Sequence, residues 1–380
     1  MNLLRNLFSS FISFFLVPLI IIFVITYSFF GVFLNSTIFK GVLNSNNTYT
    51  RIASNVIPSF LLNIGSHSNS QTSIPTKALG DVISKIDKKL LANDLEKAVN
   101  STYDFVTTDE KHFETKIDLT PYTTSIATNL KQSVTDYFNS LTACTPTETA
   151  AMDQSSLGNL SCKPTGLDAT KYLNALQVDN LVEDIKTGFP TELIISDQQI
   201  ATYPQTNLLP DKTANNSQTN TQKPLLVTVQ KTIQSYRMGN QYLLMTILVL
   251  FVLLVLTRVP NITSICKWVS SVLFSASFIP LAGSTLSLYF LKPDFLTGIF
   301  NRVIGNSFGP DFQKATASLL TDNVFSFTQK VFQQMQLLSF ILIVIAIILY
   351  SVHFVLEQKS KQKANKPLDA AINTTHNVSG

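Results

Sequence analysis

The sequence predicts an α-helical membrane protein with four transmembrane helices and a mostly helical α+β extracytoplasmic domain. Only 14% of its residues are charged, against roughly a quarter in typical soluble proteins. The missing charge coincides with four apolar runs, whereas the segments between them have the composition of soluble protein. A helix needs ~20 predominantly apolar residues to cross a bilayer. The four runs lie at 8–34, 242–256, 268–291 and 337–356.

The first apolar run follows Arg5 and extends from Phe8 to Leu34 without a charged residue. A cleavable signal peptide has an apolar core of ~7–15 residues, which is followed by small residues at the cleavage site. This run is 27 residues long, and no such small-residue pattern follows it. We therefore predict an uncleaved signal anchor over residues 1–34, in preference to a cleavable signal peptide.

Positively charged residues indicate how the apolar runs are oriented. The short turn between the second and third runs is flanked by Arg258 and Lys267, and short loops that carry Lys and Arg favour the cytoplasmic side. This rule places the turn and both chain termini in the cytoplasm of a multi-pass cell-membrane protein. The residues that determine this topology are Arg5, Arg258, Lys267, Lys359, Lys361 and Lys363.

The net charge is distributed in agreement with this topology. The segments assigned to the cytoplasm carry seven Lys and Arg residues against two Asp and Glu residues, although the whole chain is only +4. The segments assigned to the outside, 35–239 and 292–335, are close to neutral. Topology therefore accounts for the basic excess. We predict no nucleic-acid partner, because binding to a phosphate backbone needs a basic surface that the outer domain lacks.

Hydropathy and composition divide the chain into three parts. The first is the transmembrane signal anchor at 1–34, and the second is an extracytoplasmic α+β domain at 35–222 with a polar linker at its end. The third, 223–380, contains a membrane-proximal helix, three transmembrane helices, an outer loop at 292–335 and a basic cytoplasmic tail.

Hydrophobic periodicity predicts the elements of the outer domain. The first segment, 35–75, is rich in Asn, Ser and Thr, and we expect an extended or loosely packed lead-in there. The polar residues 197–223 form the predicted linker. Alternating apolar residues predict short strands at 113–119 and 192–196. Apolar residues at helical spacing predict helices near 79–99, 120–141 and 168–187.

Heptad-like spacings precede the second and fourth apolar runs, which predicts that both helices continue outward beyond the membrane. The two seams have matching spacings and descend in the same direction, so we expect them to pack side by side. In the alternative interpretation, each seam covers its own part of the outer domain. The seam residues are Leu226, Val229, Ile233 and Tyr236, and Leu320, Val324, Phe327 and Val331.

Cys144 and Cys162 are the two cysteines of the predicted outer domain. They lie 18 positions apart and bracket a turn-rich polar segment, a pattern that predicts a disulfide in an oxidising compartment. The alternative is a pair of free thiols. Cys266 lies at the predicted cytoplasmic edge of the membrane, where palmitoylation is conceivable, but an ordinary reduced cysteine is the preferred interpretation.

No residue pattern indicates catalysis. The four histidines are scattered, and neither a zinc-ligand spacing nor a phosphate-binding or nucleophile motif occurs in the sequence. The acidic pairs Asp109-Glu110 and Glu183-Asp184 fit solvated surface better than paired catalytic carboxylates. We therefore assign no catalytic, cofactor-binding or metal-binding residue and expect no cofactor. An enzyme stays possible, with no residue nominated.

The third apolar run is unusual because small residues repeat in it at spacings of four. Such spacing allows transmembrane helices to approach closely, and it also occurs where a helix lines a substrate path. Packing is the preferred interpretation, since no apolar run carries a charge that could bind or relay ions. The repeating residues are Ser271, Ser275, Gly283 and Ser287.

Several short segments have a familiar arrangement along the chain. They are KIDLTP at 116–121, LTACT at 141–145 and CKP at 162–164, set between a membrane anchor and three further apolar runs. The arrangement resembles bacterial proteins with four transmembrane helices and a large extracytoplasmic domain between the first and second helices. That group has no assigned activity. The resemblance implies a location in a bacterial cytoplasmic membrane.

The sequence as a whole predicts a non-enzymatic integral membrane protein. We expect its extracytoplasmic domain to bind an envelope component, a ligand or a partner protein, with the lipid bilayer as the other partner. The alternative is an accessory subunit of a membrane transporter or channel. Such a subunit would use the third transmembrane helix, one face of which carries the repeated small residues.

Overall fold

The computed structural model describes residues 2–60, 74–108, 110, 112–150, 157–158, 160–188, 190–196, 225–259, 261–305 and 309–376. The chain forms two compact units. Unit 1 comprises Met1–Phe39, Gln234–Lys292 and Phe325–Gly380, and unit 2 comprises Lys40–Ile233 and Pro293–Val324. Residues 293–324, which the sequence division assigned to the C-terminal part, therefore belong to the same unit as the segment after the anchor.

The described residues form thirteen helices and two strands. In chain order the helices are α1 Asn2–Phe33, α2 Ser36–Ser45, α3 Thr48–Arg51, α4 Thr76–Ser84, α5 Lys88–Thr107, α6 Thr120–Ser140, α7 Pro146–Ala150, α8 Ala169–Ala175, α9 Val178–Gly188, α10 Leu225–Leu256, α11 Ile262–Phe290, α12 Pro293–Ile304 and α13 Pro310–His376. A π-helical turn, Ile52–Val56, directly follows α3. The strands are β1 Glu114–Asp118 and β2 Glu192–Ser196.

Four helices contain stretches that are long and apolar enough to cross a membrane, as the sequence predicts for a multi-pass membrane protein. The stretches are Arg5–Phe33, Leu226–Leu256, Ile262–Phe290 and Pro310–Gln362. All four are longer than the ~20 residues that one crossing needs, and the last is 53 residues long. Both seams continue without a break into their apolar stretches, as predicted, because α10 and α13 are single helices.

Helix α1 contributes one apolar face to the core of unit 1. Its buried residues Ile12, Leu16, Ile20 and Val24 recur every four positions and form one stripe, which is the spacing of a single helix face. This stripe packs chiefly along α11. The remaining buried residues of the same core are Ile247, Leu254, Val272, Leu273, Ala276, Met335 and Ala346.

One side chain from each seam packs against the C-terminal end of α1. Tyr236 of α10 stacks on Phe30, and Phe327 of α13 stacks on Phe33 with ring centroids 5.0 Å apart. Gly31 lies on the same turns, and a Cβ atom there would come within 2.6 Å of the Gln334 amide nitrogen. At this level both helices therefore contact α1 through aromatic rings.

Unit 2 has a core of its own around α6. Phe138 of α6 stacks on Tyr172 of α8 with ring centroids 4.8 Å apart, and both side chains are completely buried. Helices α4, α8 and α9 all pack against α6. The other buried core residues are Ala78, Val82, Leu130, Val134, Leu160, Leu173, Leu176 and Val178.

The two predicted strands form one antiparallel pair in which Glu114 is opposite Ser196 and Asp118 is opposite Glu192. The chain turns directly from β1 into α6. The cap position of α6 belongs to Leu119. The side chain of Asp118 accepts a hydrogen bond from the Thr120 amide at 2.9 Å and stabilises the helix start.

The segment after the anchor corrects one expectation. Residues 35–75 were expected to be extended or loosely packed, but α2, α3 and the π turn make this segment helical, with helix through residue 60. Val42, Leu43, Tyr49 and Ala53 are buried, so these helices pack against the rest of the chain. Residues 61–73 and the predicted linker 197–223 lie outside the described residues.

Two predicted helices are each divided by a local break. Asp87 interrupts the predicted helix 79–99, because its carboxylate caps α5 by accepting from the Lys89 and Leu90 amides. Gln177 interrupts the predicted helix 168–187, because its φ of 52° is incompatible with a continuing α-helix. Apolar spacing runs through both breaks, and periodicity alone therefore does not reveal them.

Candidate functional site

The candidate site of unit 2 begins at the π turn after α3. Pro58 follows this turn by two residues, and a proline inside an α-helix clashes with the carbonyl four residues earlier, here that of Ser54. The π turn covers Ser54 and widens the helix at the clash, so that the chain stays helical through residue 60. Such turns are rare in proteins, and those that occur often lie at functional sites.

A groove of about 420 Å³ lies between this turn and the first turns of α13. The volume is within the usual range for small-molecule sites. One wall consists of Arg51, Ser54, Asn55, Pro58 and Ser59. The other wall consists of Asp311, Lys314, Ala315 and Ser318.

Hydrogen bonds to α13 hold the Arg51 end of the groove in place. Arg51 donates to the Asp322 carboxylate at 2.6 Å and to the Ser318 hydroxyl at 3.0 Å. Thr48 donates to the Asn323 amide oxygen at 2.9 Å, and Asn46 donates to the same oxygen and to the Asp322 carbonyl. Because the Arg51 guanidinium is already paired, its role here is to fix the two walls.

The free binding groups are at the other end of the groove. Asn55, Asp311 and Lys314 are exposed and present an amide, a carboxylate and an ammonium. The hydroxyls of Ser54 and Ser59 donate to carbonyls of their own helix, which leaves their oxygens as acceptors. This set suits a polar ligand that presents hydroxyl, amide or zwitterionic groups.

The predicted disulfide is confirmed by a bond between Cys144 and Cys162. Backbone hydrogen bonds flank it, since Cys144 donates to the Lys163 carbonyl at 3.0 Å and Lys163 donates to the Thr142 carbonyl at 2.7 Å. Tyr137 donates to the Leu160 carbonyl within the enclosed segment. The cysteines therefore attach this segment to the end of α6, a structural role. Cys266 is a buried free thiol.

The structure brings three of the six predicted topology determinants to one end of unit 1. Arg5 donates to the carbonyls of Thr257 and Val259 at 2.9 and 2.8 Å, so it satisfies backbone acceptors at the end of α10. Arg258 and Lys267 line one cavity at the same end.

The other three determinants lie along α13. Lys361 pairs with Glu357 at 3.0 Å, one turn earlier on the same helix. Lys359 is exposed, and the side chain of Lys363 lies outside the described residues. The sequence had indicated all six residues by their charge and position. It had not predicted the cavity that Arg258 and Lys267 line.

Two tyrosines of unit 2, Tyr49 and Tyr122, are unsuited to acid–base catalysis near neutral pH. Burial, and secondarily Glu96, raises the pKa of Tyr49 to about 12. Burial, followed by the hydrogen bond to Asp94, raises the pKa of Tyr122 still further. Both shifts move the hydroxyls away from neutrality. Among the described residues no group of three His, Cys, Asp or Glu side chains could hold a metal ion.

The small-faced helix α11 lines a second groove, which is largely apolar. Ser271 and Ser275 lie on one wall, and Ala346, Ile347 and Tyr350 of α13 lie on the other, around about 420 Å³. Gly283 and Ser287 are not among its lining residues. Two of the four predicted small residues therefore line this groove, and Gly283 is exposed outside it.

No family model, curated protein or solved structure matches this chain. Conclusions about its function therefore rest on the chain's own residues and their geometry.

Proposed function

We propose that this chain is a non-enzymatic multi-pass membrane protein of a bacterial cell membrane, whose unit 2 binds a polar envelope component from the extracytoplasmic side. The observation that carries the proposal is the groove at the π turn, in which Asn55, Asp311 and Lys314 are exposed. Peptides and amino sugars of the envelope present the hydroxyl, amide and charged groups that this lining complements. Location and orientation follow from the basic flanks of the four apolar helices.

The groove has the rigidity that a binding site needs. Ion pairing and hydrogen bonds from Arg51 fix its two walls, so the lining is positioned before a ligand arrives. Preorganised sites bind more tightly because less conformational entropy is lost on binding.

The alternative, a transporter or channel accessory subunit, would need a polar path along α11. The buried hydroxyls of Ser277 and Ser284 donate to carbonyls of their own helix at 2.6 and 3.0 Å. The hydrogen-bond donors of these hydroxyls therefore need no partner outside α11. In addition, no charged residue lies within the apolar stretch of α11 after Lys267. This arrangement favours helix packing, so unit 2 is the preferred binding region.

Site-specific photo-crosslinking in native membranes tests the proposal. A photoreactive amino acid replaces Asn55, which lines the groove, and in a control strain it replaces Lys88, which is equally exposed in unit 2. We expect a ligand adduct at position 55 that is absent at position 88. The adduct should weaken in a Lys314→Gln background and persist in a Lys88→Gln background.

Equal adducts at both positions, or none at position 55, would contradict the proposed site. Crosslinking that is seen only from α11 to a transport protein would support the accessory-subunit alternative instead. Mass spectrometry of the adduct identifies whether the ligand is a glycan, a peptide or a protein.

A further inference from the structure

Basic side chains outnumber acidic ones at one end of unit 1. Arg5 and Arg258 flank the turn between α10 and α11, and Lys267 follows on α11. Among the side chains that the structure describes in unit 1, Glu357 is the only acidic one. Glu357 pairs with Lys361 at 3.0 Å and with His353 at 3.5 Å. Lys267 also interacts electrostatically with Glu357, whereas no ion pair joins Arg5 or Arg258 to a carboxylate among the described residues.

Arg258 is the least satisfied member of this group. It is only 7% exposed, and its guanidinium lies over the Trp268 ring at 4.7 Å. One nitrogen, Nη1, donates to the Asn6 side chain at 2.7 Å. Nε and Nη2 have no hydrogen-bond partner among the described residues. Burying a guanidinium with unpaired donors is unfavourable unless a further group neutralises it.

Burial, and secondarily the charge of Arg5, lowers the pKa of Arg258. The direction shows that burial disfavours the charge of Arg258 itself, and that Arg5 adds to the effect. Since an arginine nevertheless keeps its charge at neutral pH, an anion near the guanidinium would stabilise the folded unit.

A cavity of about 730 Å³ opens beside these residues. Its polar lining consists of Asn6, Ser10, Ser264, Arg258 and Lys267, with Trp268 as an aromatic wall. Asn6, Ser10 and Lys267 are exposed, so the cavity is accessible from outside the unit. Its lining offers two cations, two hydroxyls and an amide, and no carboxylate.

We propose that this cavity binds a phosphate group, carried either by an anionic lipid headgroup or by a free phosphate ion. The planar fork of an arginine matches phosphate oxygens in a bidentate manner, and a lysine adds a mobile point charge. Hydroxyls of Ser10 and Ser264 can donate to the remaining oxygens. A carboxylate ligand would leave part of this lining unused, because it has only two oxygens.

Two further observations favour the lipid as the source. Arg258 lies between the apolar stretches that end at Leu256 and begin at Ile262, the level at which headgroups meet a transmembrane helix. In addition, Lys267 also borders the apolar groove between α11 and α13. That groove offers an acyl chain a surface that begins at the same lysine.

Trp268 makes the test direct, because it is the only tryptophan of the chain. The full-length protein in a neutral detergent is titrated with short-chain phosphatidylglycerol, with phosphatidylcholine of equal chain length, and with inorganic phosphate, while the fluorescence of Trp268 is followed. We expect a saturable change with phosphatidylglycerol. Arg258→Gln and Lys267→Gln should each weaken it about tenfold, the loss of one charge-assisted hydrogen bond.

The control variant is Lys359→Gln, which removes an exposed lysine of the same unit away from the cavity and should bind like the wild type. Arg258→Lys keeps the charge but loses the fork, so it should bind between wild type and Arg258→Gln. If Arg258→Gln does not elute as a folded monodisperse protein, Lys267→Gln alone decides.

The outcomes separate the two sources. Saturable binding of inorganic phosphate with the same dependence on Lys267, without binding of phosphatidylglycerol, would assign the site to a free ion. Binding of phosphatidylglycerol that resists competition by inorganic phosphate would assign it to lipid. The proposal fails if phosphatidylcholine binds as tightly as phosphatidylglycerol and phosphate has no effect, or if Lys267→Gln and Lys359→Gln behave alike.

Discussion

Unit 1 and unit 2 bury apolar side chains in different ways. The difference reflects the solvent that surrounds each unit. The core of unit 1 consists of aliphatic residues, two alanines and Met335, along helices whose outer faces are also apolar, for example at Leu244, Leu248 and Val252. The core of unit 2 contains stacked aromatic rings at Phe138 and Tyr172, a disulfide and tyrosine hydroxyls bonded to backbone carbonyls. Only unit 2 has the polar exterior of a protein in water.

The comparison teaches that a buried leucine is worth different amounts in the two units. In water, burial removes apolar surface from solvent and stabilises by ~25 cal/mol per Å². In lipid the separated helices stay in an apolar solvent, so that the transfer contribution vanishes and only close packing remains. Small residues allow that packing, and in unit 1 Ala276 and Ser277 are both fully buried on α11.

Matched leucine variants should show the largest difference in stability between the two units. Leu130 of unit 2 and Leu16 of unit 1 are 1% and 0% exposed. Leu130→Ala should cost about 2–5 kcal/mol of unfolding free energy, the sum of transfer and cavity contributions. Leu16→Ala should cost roughly half as much, because the cavity contribution alone applies. Urea unfolding in mild detergent reports on unit 2, and unfolding in rising SDS mole fraction reports on unit 1.

Equal costs for the two leucines would show that unit 1 unfolds into water rather than into lipid-like surroundings. That result would contradict the membrane placement of its helices.

The disulfide should give the next largest effect, and it should act on unit 2 alone. The Cys144–Cys162 bond closes a loop of 18 residues, for which chain entropy predicts a stabilisation of about 3 kcal/mol. A Cys144→Ala, Cys162→Ala double variant should therefore lower the urea midpoint and leave the SDS midpoint unchanged. Cys266→Ala is the control, since it removes the remaining thiol of the chain without opening a loop. A shift in both midpoints would show that the bond supports more than unit 2.

Local signals in the sequence predicted a large part of the fold. The four apolar runs, the strand pair and the Cys144–Cys162 bond follow from composition, alternation and spacing within short windows. The helical segment after the anchor did not follow, because Asn and Ser are weak helix formers and distant partners hold it. Arg51 pairs with Asp322, 271 positions along the chain, and such a contact is invisible to a window of residues.

The two cavities were missed for the same physical reason. Arg258 and Lys267 were recognised as topology signals, but their cavity needs Asn6 and Ser10 from the other end of the chain. In unit 2, Pro58 resembles a helix breaker, whereas the π turn keeps the helix intact and forms one wall of the groove. A proline within a helical pattern that contains polar residues on the same face is the signal that could have indicated the groove.

Helix caps offer a smaller test of the comparison. Asp87 caps α5 of unit 2 by accepting from two amides at 2.9 and 3.0 Å, whereas Asn261 caps α11 of unit 1 by accepting from one amide at 3.2 Å. Asp87→Ala should cost ~1 kcal/mol, and Asn261→Ala should lie near the lower end of the range, ~0.5 kcal/mol. The urea and SDS titrations measure these costs separately. Asp87→Asn keeps an acceptor and should stay close to the wild type; a full loss there would attribute the effect to charge instead of capping.

The smallest expected effect is acid sensitivity, and it too should be confined to unit 2. The carboxylate of Asp81 accepts hydrogen bonds from Lys85 and Ser133, which lower its pKa below the ordinary value of 3.8. A carboxyl group whose pKa is lower in the folded state stabilises fully above pH 3.8, and this contribution disappears as the pH falls through the folded-state pKa. Because Asp81 is solvent-accessible, the effect is screened and small. We expect the urea midpoint to fall as the pH is lowered below 3.8, and to fall less steeply in Asp81→Asn. The segments of unit 1 contain only two acidic residues, Glu357 and Asp369, so that the SDS midpoint should change less over the same range. If Asp81→Asn falls as steeply as the wild type, the hydrogen bonds at Asp81 do not contribute to the stability of unit 2.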